Sequence, residues 1–67
     1  MRIKIESRFS NGRLDAVIYR SLKVIPRIGE MLKINGIDSP DGEIEVTKII
    51  YSKKTIIVIC NNGYLGY

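Results

Sequence analysis

The sequence predicts an all-β fold of five short strands. Thirteen isoleucines and four valines dominate the apolar residues, whereas alanine, the best helix former, occurs once. Side chains branched at Cβ pack well on a pleated sheet and lose rotamer freedom in a helix. Several segments alternate apolar and polar residues, which is typical of a strand with one face in solvent. Turn-forming runs such as Asn11-Gly12 separate these segments.

The first two strands are predicted to form a hairpin. Residues 2–9 alternate, with Ile3, Ile5, Ser7 and Phe9 on one face and Arg2, Lys4, Glu6 and Arg8 on the other. Residues 10–13 form the turn, in which Asn11-Gly12 supplies the positive-φ positions of a tight hairpin. The second strand covers residues 14–21 and is apolar on both faces at its centre, which indicates that both faces are covered.

The middle of the chain is predicted to be less regular. Pro26 lacks an amide proton and favours extended geometry at Ile25, so residues 22–28 are interpreted as an irregular crossover. The third strand covers residues 30–34, with Leu32 and Ile34 facing inward. Two turns follow, at residues 35–36 and 39–42, and the second fits a type I turn.

Two further strands complete the sheet. The inward-facing residues of the fourth strand, residues 43–51, are interrupted at Lys48, which predicts a bulge near Thr47-Lys48. After a reversal at residues 52–55, the run 56–60 is apolar on both faces, which predicts either a central strand or a strand with one face covered by another molecule. The tail, residues 61–67, is predicted to be loose. Residues 1–67 are therefore predicted to form a single domain, a small five-stranded SH3-like barrel or a curled antiparallel meander.

The size of the chain predicts a need for extra stabilisation. A domain of 67 residues buries only about 60% of the surface that its unfolded chain exposes. The single cysteine, Cys60, excludes an intrachain disulfide, and the lack of histidine argues against a zinc site, so neither a metal nor a cofactor is expected. Self-association is the remaining expectation. The sequence shows no membrane span or signal peptide, and one free cysteine suits a reducing compartment, so the prediction is cytoplasmic.

Catalysis is not expected. Histidine, the commonest general base, does not occur. Cys60 lies in an apolar run and is interpreted as a buried, inert thiol. Glu43 and Glu45 share a strand face, but most such pairs are simply solvated. The sequence contains no glycine-rich phosphate loop.

The charge distribution leaves nucleic-acid binding open as an alternative. The net charge is +4, and four of the seven acids lie between residues 38 and 45. A basic face could follow a phosphate backbone, and tyrosines such as Tyr19 or Tyr51 could stack on bases. The same cations could instead keep the protein soluble and protect its edge strands. A third alternative is a sponge for a small anionic signal. The basic residues concerned are Arg2, Lys4, Arg8, Arg13, Lys53 and Lys54.

Surplus apolar surface favours protein binding. Ile57 and Ile59 lie on the strand face opposite Ile56 and Val58, although a small barrel has only one interior. Either a crossover covers this second face or it meets another protein. The tail could anchor a partner or could fold back over the end of the barrel. The predicted protein-binding residues are Tyr19, Tyr51, Ile57, Ile59, Tyr64 and Tyr67.

Two resemblances add to this interpretation. The segments 25–30 (IPRIGE) and 46–51 (VTKIIY) resemble small SH3-like accessory proteins of bacteriophages and mobile elements. This resemblance implies a protein that antagonises a bacterial host defence factor by stoichiometric binding. The segment 27–30 (RIGE), with Leu32 and Ile34, is also similar to the strand opening of the carbon storage regulator family of dimeric RNA-binding proteins, which implies an RNA contact for Arg27. The leading hypothesis is a self-associating, non-enzymatic module that binds a bacterial protein.

Overall fold

The computed structural model describes residues 2–33 and 43–64. It confirms the predicted all-β fold, because five strands form one sheet curled into a half-barrel, with no helix in these two ranges. No helix that could cross a membrane is therefore found in the described residues. The strands are β1 (Arg2–Arg8), β2 (Leu14–Ser21), β3 (Met31–Lys33), β4 (Glu43–Tyr51) and β5 (Ile56–Asn61).

The order of strands in the sheet is β2-β1-β5-β4-β3. β1 pairs with β2 as an antiparallel hairpin, and β3, β4 and β5 follow one another as antiparallel neighbours. The first and last strands, β1 and β5, pair in parallel. The segment between β2 and β3 therefore crosses from one edge of the sheet to the other. β5 is central, as predicted, because β1 and β4 flank it.

The core lies on one face of the sheet, here called the inner face. The prediction that Ile3, Ile5 and Ser7 point inward is confirmed, since all three are buried, and Leu32 packs against the same core. Fully burying one such aliphatic side chain contributes about 1.5–3 kcal/mol. Because few side chains are fully buried in the described residues, the stabilisation from the core is small. Its buried apolar members are Ile3, Ile5, Ile44, Val46, Val58 and Cys60.

Two bulges adjust which side chains face the core. The bulge predicted near Thr47-Lys48 is confirmed: Val46 lies opposite Cys60 and Lys48 lies opposite Ile59, which leaves Thr47 as the extra residue. The Thr47 hydroxyl donates a hydrogen bond to the Ile59 carbonyl at 3.1 Å. A second bulge was not predicted from the sequence. It makes Asp15 the extra residue of β2.

Both hairpin turns lie where they were predicted, but the first differs in detail. The Phe9 amide donates to the Arg13 carbonyl and the Gly12 amide donates to the Phe9 carbonyl, each at 2.9 Å. Gly12 has a φ of 91°, whereas no described non-glycine residue has a positive φ. The prediction of a positive φ at Asn11 is therefore wrong. Instead, the Asn11 side chain accepts a hydrogen bond from the Arg13 amide, in a three-residue loop that ends on a glycine.

The crossover is irregular, as predicted, and it ends in a turn. The Glu30 amide donates to the Arg27 carbonyl at 3.0 Å, and the Glu30 carboxylate accepts from the Arg27 amide at 2.7 Å. Gly29 has a φ of 92° in this turn, which glycine adopts without steric cost. β3 begins at Met31, one residue later than predicted. Ile34 and the turns predicted at residues 35–36 and 39–42 lie outside the described residues.

The tail is held in place up to Tyr64, so the prediction of a loose tail is wrong for this part. The Asn62 amide donates to the Arg8 carbonyl at 2.9 Å, and the Ser10 amide donates to the Tyr64 carbonyl at 2.7 Å. These bonds continue the pairing of β1 with β5 beyond both strands. Asn62 is buried, which agrees with the alternative that the tail folds back over the end of the core.

Candidate interaction surface

The second face of the sheet, here called the outer face, collects apolar side chains from three strands. The register places Tyr19 opposite Lys4, Lys4 opposite Ile57, and Ile57 opposite Ile50. Since paired residues share a face of the sheet, these four side chains lie in one row. The next row contains Val17, Glu6, Ile59 and Lys48.

We call the apolar members of these two rows the outer patch. None of them belongs to the buried core or to the apolar residues packed against it. Three are exposed by 36–49%, and the other two are half-buried. The outer patch consists of Val17, Tyr19, Ile50, Ile57 and Ile59.

A charged strip on β1 runs through the outer patch, and its one carboxylate pairs with two of its three cations. The Glu6 carboxylate accepts a hydrogen bond from Arg8 Nη2 at 2.7 Å and lies 3.5 Å from Lys4 Nζ. The Glu6 side chain is only 13% exposed. The hydrogen bond from Arg8 holds the pKa of Glu6 below its ordinary value, although desolvation opposes this effect. The strip consists of Arg2, Lys4, Glu6 and Arg8.

The first residue of the strip also fixes an aromatic ring. The Arg2 guanidinium lies over the Tyr19 ring, 5.0 Å from its centroid. This is cation–π geometry, which contributes about 0.5–1 kcal/mol at an exposed site. One face of the Tyr19 ring is therefore covered by the cation, while the residue as a whole is 49% exposed.

The structure brings together only some of the residues predicted to bind a protein. Tyr19, Ile57 and Ile59 share the outer patch. Tyr51 lies opposite Ile56 at one end of the sheet and is exposed. Tyr64 lies at the other end, where its carbonyl accepts from Ser10. Tyr67 lies outside the described residues.

The predicted nucleic-acid-binding residues are dispersed. Arg2, Lys4 and Arg8 share the charged strip. Because β1 and β5 are parallel, the hairpin after β1 and the hairpin before β5 lie at opposite ends of the sheet. These hairpins hold Arg13 and the pair Lys53-Lys54, respectively, while Arg27 is exposed in the crossover.

A buried polar cluster was missed by the sequence analysis. Asp15 Oδ2 accepts a hydrogen bond from the Ser7 hydroxyl at 3.2 Å and another from the Asn62 side-chain amide at 3.0 Å. Two features of the sequence could have indicated this cluster: an acid within the apolar strand β2, and a serine on the apolar face of β1. The hydrogen bonds of this cluster join β1, β2 and the tail, so the cluster closes the end of the core.

The remaining chemical groups are a buried thiol and a pair of carboxylates beside a groove. Cys60 is buried, as predicted, and burial raises the pKa of its thiol to about 11, so the nucleophilic thiolate is scarce at neutral pH. An open groove of about 320 Å³ includes Glu43 and Glu45 in its lining. Within residues 2–33 and 43–64, no cluster of three potential metal-ligating side chains occurs.

Comparison with known proteins finds no match to a family model, to a curated protein or to a solved structure.

Proposed function

We propose that this chain is a non-enzymatic protein-binding module whose outer patch docks on an apolar surface of another protein. The observation that carries the proposal is that isoleucines of a central strand, Ile57 and Ile59, lie on a sheet face that the fold does not use for its core. The charged strip on β1 divides this apolar surface into one part on β2 and one on β4 and β5, and exposed apolar surface of this kind marks protein interaction sites.

The charges of the outer face favour a protein over a nucleic acid. Glu6 lies between Lys4 and Arg8 and already pairs with both cations. A phosphate that approached these cations would have to displace, or lie beside, a carboxylate whose pKa is lowered. Arg2 and Lys48 take part in neither of these ion pairs. They are two separate cations at the ends of the outer patch, where acidic side chains of a protein partner can pair with them. Such border charges act mainly on the association rate.

A sponge for a small anion has less support. The groove described above is lined by two carboxylates, Glu43 and Glu45. Their charge would repel an anionic ligand. The basic residues of the two hairpins lie at opposite ends of the sheet and form no common pocket in the described structure.

The resemblance of residues 25–30 and 46–51 to phage and mobile-element accessory proteins supports a more specific role. On this proposal the partner is a bacterial host factor, such as a defence protein, and the encounter takes place in the cytoplasm of the host cell. The module acts by occupying a surface of its partner stoichiometrically. Steric occlusion needs no catalytic group, and the chemistry of Cys60 offers none at neutral pH.

The test compares the chain with a variant of the outer patch. In Ile57→Thr/Ile59→Thr, threonine keeps the β-branched shape and the strand propensity while removing apolar surface. We expect a bacterial protein to co-purify with the unchanged chain in a fixed ratio that survives high salt. The double variant is expected to lose at least tenfold in affinity for it.

The matched control is Ile28→Thr, since Ile28 is 67% exposed but lies in the crossover. This variant is expected to bind the partner normally. The proposal is wrong if both variants bind alike. It is also wrong if the chain instead binds RNA or DNA oligonucleotides with an affinity that falls steeply as salt rises and that does not respond to the Ile57→Thr/Ile59→Thr change.

A further inference from the structure

β2 is a long edge strand with an unpaired side. It spans eight residues, and in the described part of the chain its only strand partner is β1. The opposite edge of the sheet, β3, has three residues. Proteins commonly protect an edge by making it short or by placing charge, proline or a bulge on it. β3 is short, whereas β2 is not.

The middle of β2 carries none of these protective features. Residues 16–19 (AVIY) contain neither a charge nor a proline. The bulge lies at the start of the strand, at Asp15, whose carboxylate is turned toward Ser7 and Asn62. Arg20 lies near the other end, where its guanidinium donates to the Tyr19 carbonyl at 3.1 Å. Within the described residues no other strand pairs with this edge, and a second strand would replace the Arg20 guanidinium at the Tyr19 carbonyl.

We propose that β2 pairs with β2 of a second copy of this chain, antiparallel and centred on Ile18, so that two half-barrels share one continuous sheet. In this register Tyr19 of each copy lies opposite Val17 of the other. Aromatic and β-branched residues that face each other across strands stabilise a sheet by roughly 0.2–1 kcal/mol for each pair. Centring the pairing on Val17 would instead place Tyr19 opposite the bulged Asp15.

The charges of β2 select a second copy in the antiparallel direction. The strand has an acid, Asp15, toward its start and a base, Arg20, toward its end. Antiparallel pairing brings the acidic end of each copy next to the basic end of the other. The two Arg20 side chains would be four residues apart along the strands, about 13 Å, beyond the screening length of about 8–10 Å. Parallel pairing would place them directly opposite.

The second copy would also cover the open side of the core. Ala16 and Ile18 pack against the core from β2 but remain only partly buried. Val17 and Tyr19 also belong to the outer patch, so changes at these positions alter both surfaces. The Ile57→Thr/Ile59→Thr variant separates the two proposals, because it changes the outer patch on β5 and leaves the edge of β2 intact, and it is expected to dimerise like the unchanged chain.

A pair of charge variants tests both the pairing and its register. In Val17→Lys/Tyr19→Lys, the proposed register places lysine opposite lysine twice, and like charges that face each other destabilise a sheet. In Val17→Lys/Tyr19→Glu, the same register places lysine opposite glutamate twice. Within each copy this variant also places the new lysine opposite Glu6 and the new glutamate opposite Lys4, so its charges suit the pairing with β1 as well. Both positions are exposed on the outer face, and unfolding curves check that both variants fold.

Sedimentation over a wide concentration range is expected to show a monomer–dimer equilibrium for the unchanged chain. The Lys/Lys variant is expected to dimerise at least tenfold more weakly, and the Lys/Glu variant is expected to recover dimerisation. A chain that stays monomeric at the highest concentrations, or two variants that behave alike, would overturn the proposal.

A pair of cysteine substitutions tests the proposed register even if the Lys/Lys variant does not fold. Val17→Cys/Tyr19→Cys should give a disulfide-linked dimer under mild oxidation, because these positions face each other in the proposed register. Neither single variant should do so, since cysteines whose Cα atoms are more than about 7 Å apart do not bridge. Equal crosslinking of the single and double variants would overturn the register.

Discussion

The side-chain amide of Asn62 donates a hydrogen bond to Asp15 Oδ2 at 3.0 Å, although the two residues are 47 positions apart in the chain. The Ser7 hydroxyl donates to the same oxygen at 3.2 Å. Ser7 and Asn62 are both buried, so one carboxylate provides an acceptor for two buried donors. This contact joins β1, the bulge of β2 and the tail, and it makes the end of the core a polar junction.

Removal of this carboxylate is expected to destabilise the fold. Asp15→Ala leaves the Ser7 hydroxyl and the Asn62 amide without this acceptor, and an unsatisfied buried polar group costs about 1–3 kcal/mol. Urea unfolding measures the loss. Glu45→Ala is the control, because Glu45 is exposed on β4 and a surface change should stay within about 0.5 kcal/mol. Equal losses in the two variants would contradict the assigned role of Asp15.

The ion pair between Glu6 and Arg8 predicts a dependence of stability on pH. The hydrogen bond from Arg8 holds the pKa of Glu6 below its ordinary value of 4.5. The ionised form is therefore favoured in the folded state, and its contribution to stability is complete above pH 4.5. This contribution is lost as the pH falls through the lower folded-state pKa.

Thermal unfolding as a function of pH tests this expectation. Glu6→Gln should lower stability at pH 7 and should show a smaller decrease between neutral and acidic pH than the unchanged chain. The control is Glu45→Gln, which should retain the full acid sensitivity. An unchanged acid response in Glu6→Gln would show that Glu6 is not stabilised by its cationic neighbours.

The thiol of Cys60 is expected to be protected in the folded protein. It is buried and its pKa is raised to about 11 by desolvation, so few molecules carry the reactive thiolate at pH 8. Alkylation by iodoacetamide at pH 8 should therefore be at least tenfold slower in the native protein than in urea. A native rate close to that of the unfolded chain would show that the core at Cys60 is open.

Local patterns of apolar and polar residues predicted much of the fold. The alternation of residues 2–9 predicted which side chains of β1 face the core, because each side of a strand repeats every second residue. The polar residue Lys48 in an apolar register predicted the bulge at Thr47, and the double-sided apolar run of residues 56–60 predicted that β5 is central. These inferences depend on neighbours in sequence, and the structure confirms them.

Pairing across long distances was not predictable in the same way. Nothing in residues 2–9 or 56–60 specifies that β1 and β5 run parallel, because the choice of strand partner depends on the whole chain. The contact of Asp15 with Asn62 depends on that pairing, so it could not be found from either segment alone. The separation of Tyr51 and Tyr64 from the outer patch has the same cause, since each tyrosine lies at a different end of the sheet.

The outer patch is surplus to the fold, and substitutions in β5 test this directly. Ile57 and Ile59 lie on the outer face of β5, whereas Val58 between them is fully buried. We predict that Ile57→Thr/Ile59→Thr lowers the free energy of unfolding by less than about 1 kcal/mol. Val58→Thr alone is expected to lower it by about 1–3 kcal/mol, because the threonine hydroxyl would be buried without a hydrogen-bond partner. If the double variant on the outer face loses as much stability as Val58→Thr, then Ile57 and Ile59 stabilise the fold and the outer patch is not surplus.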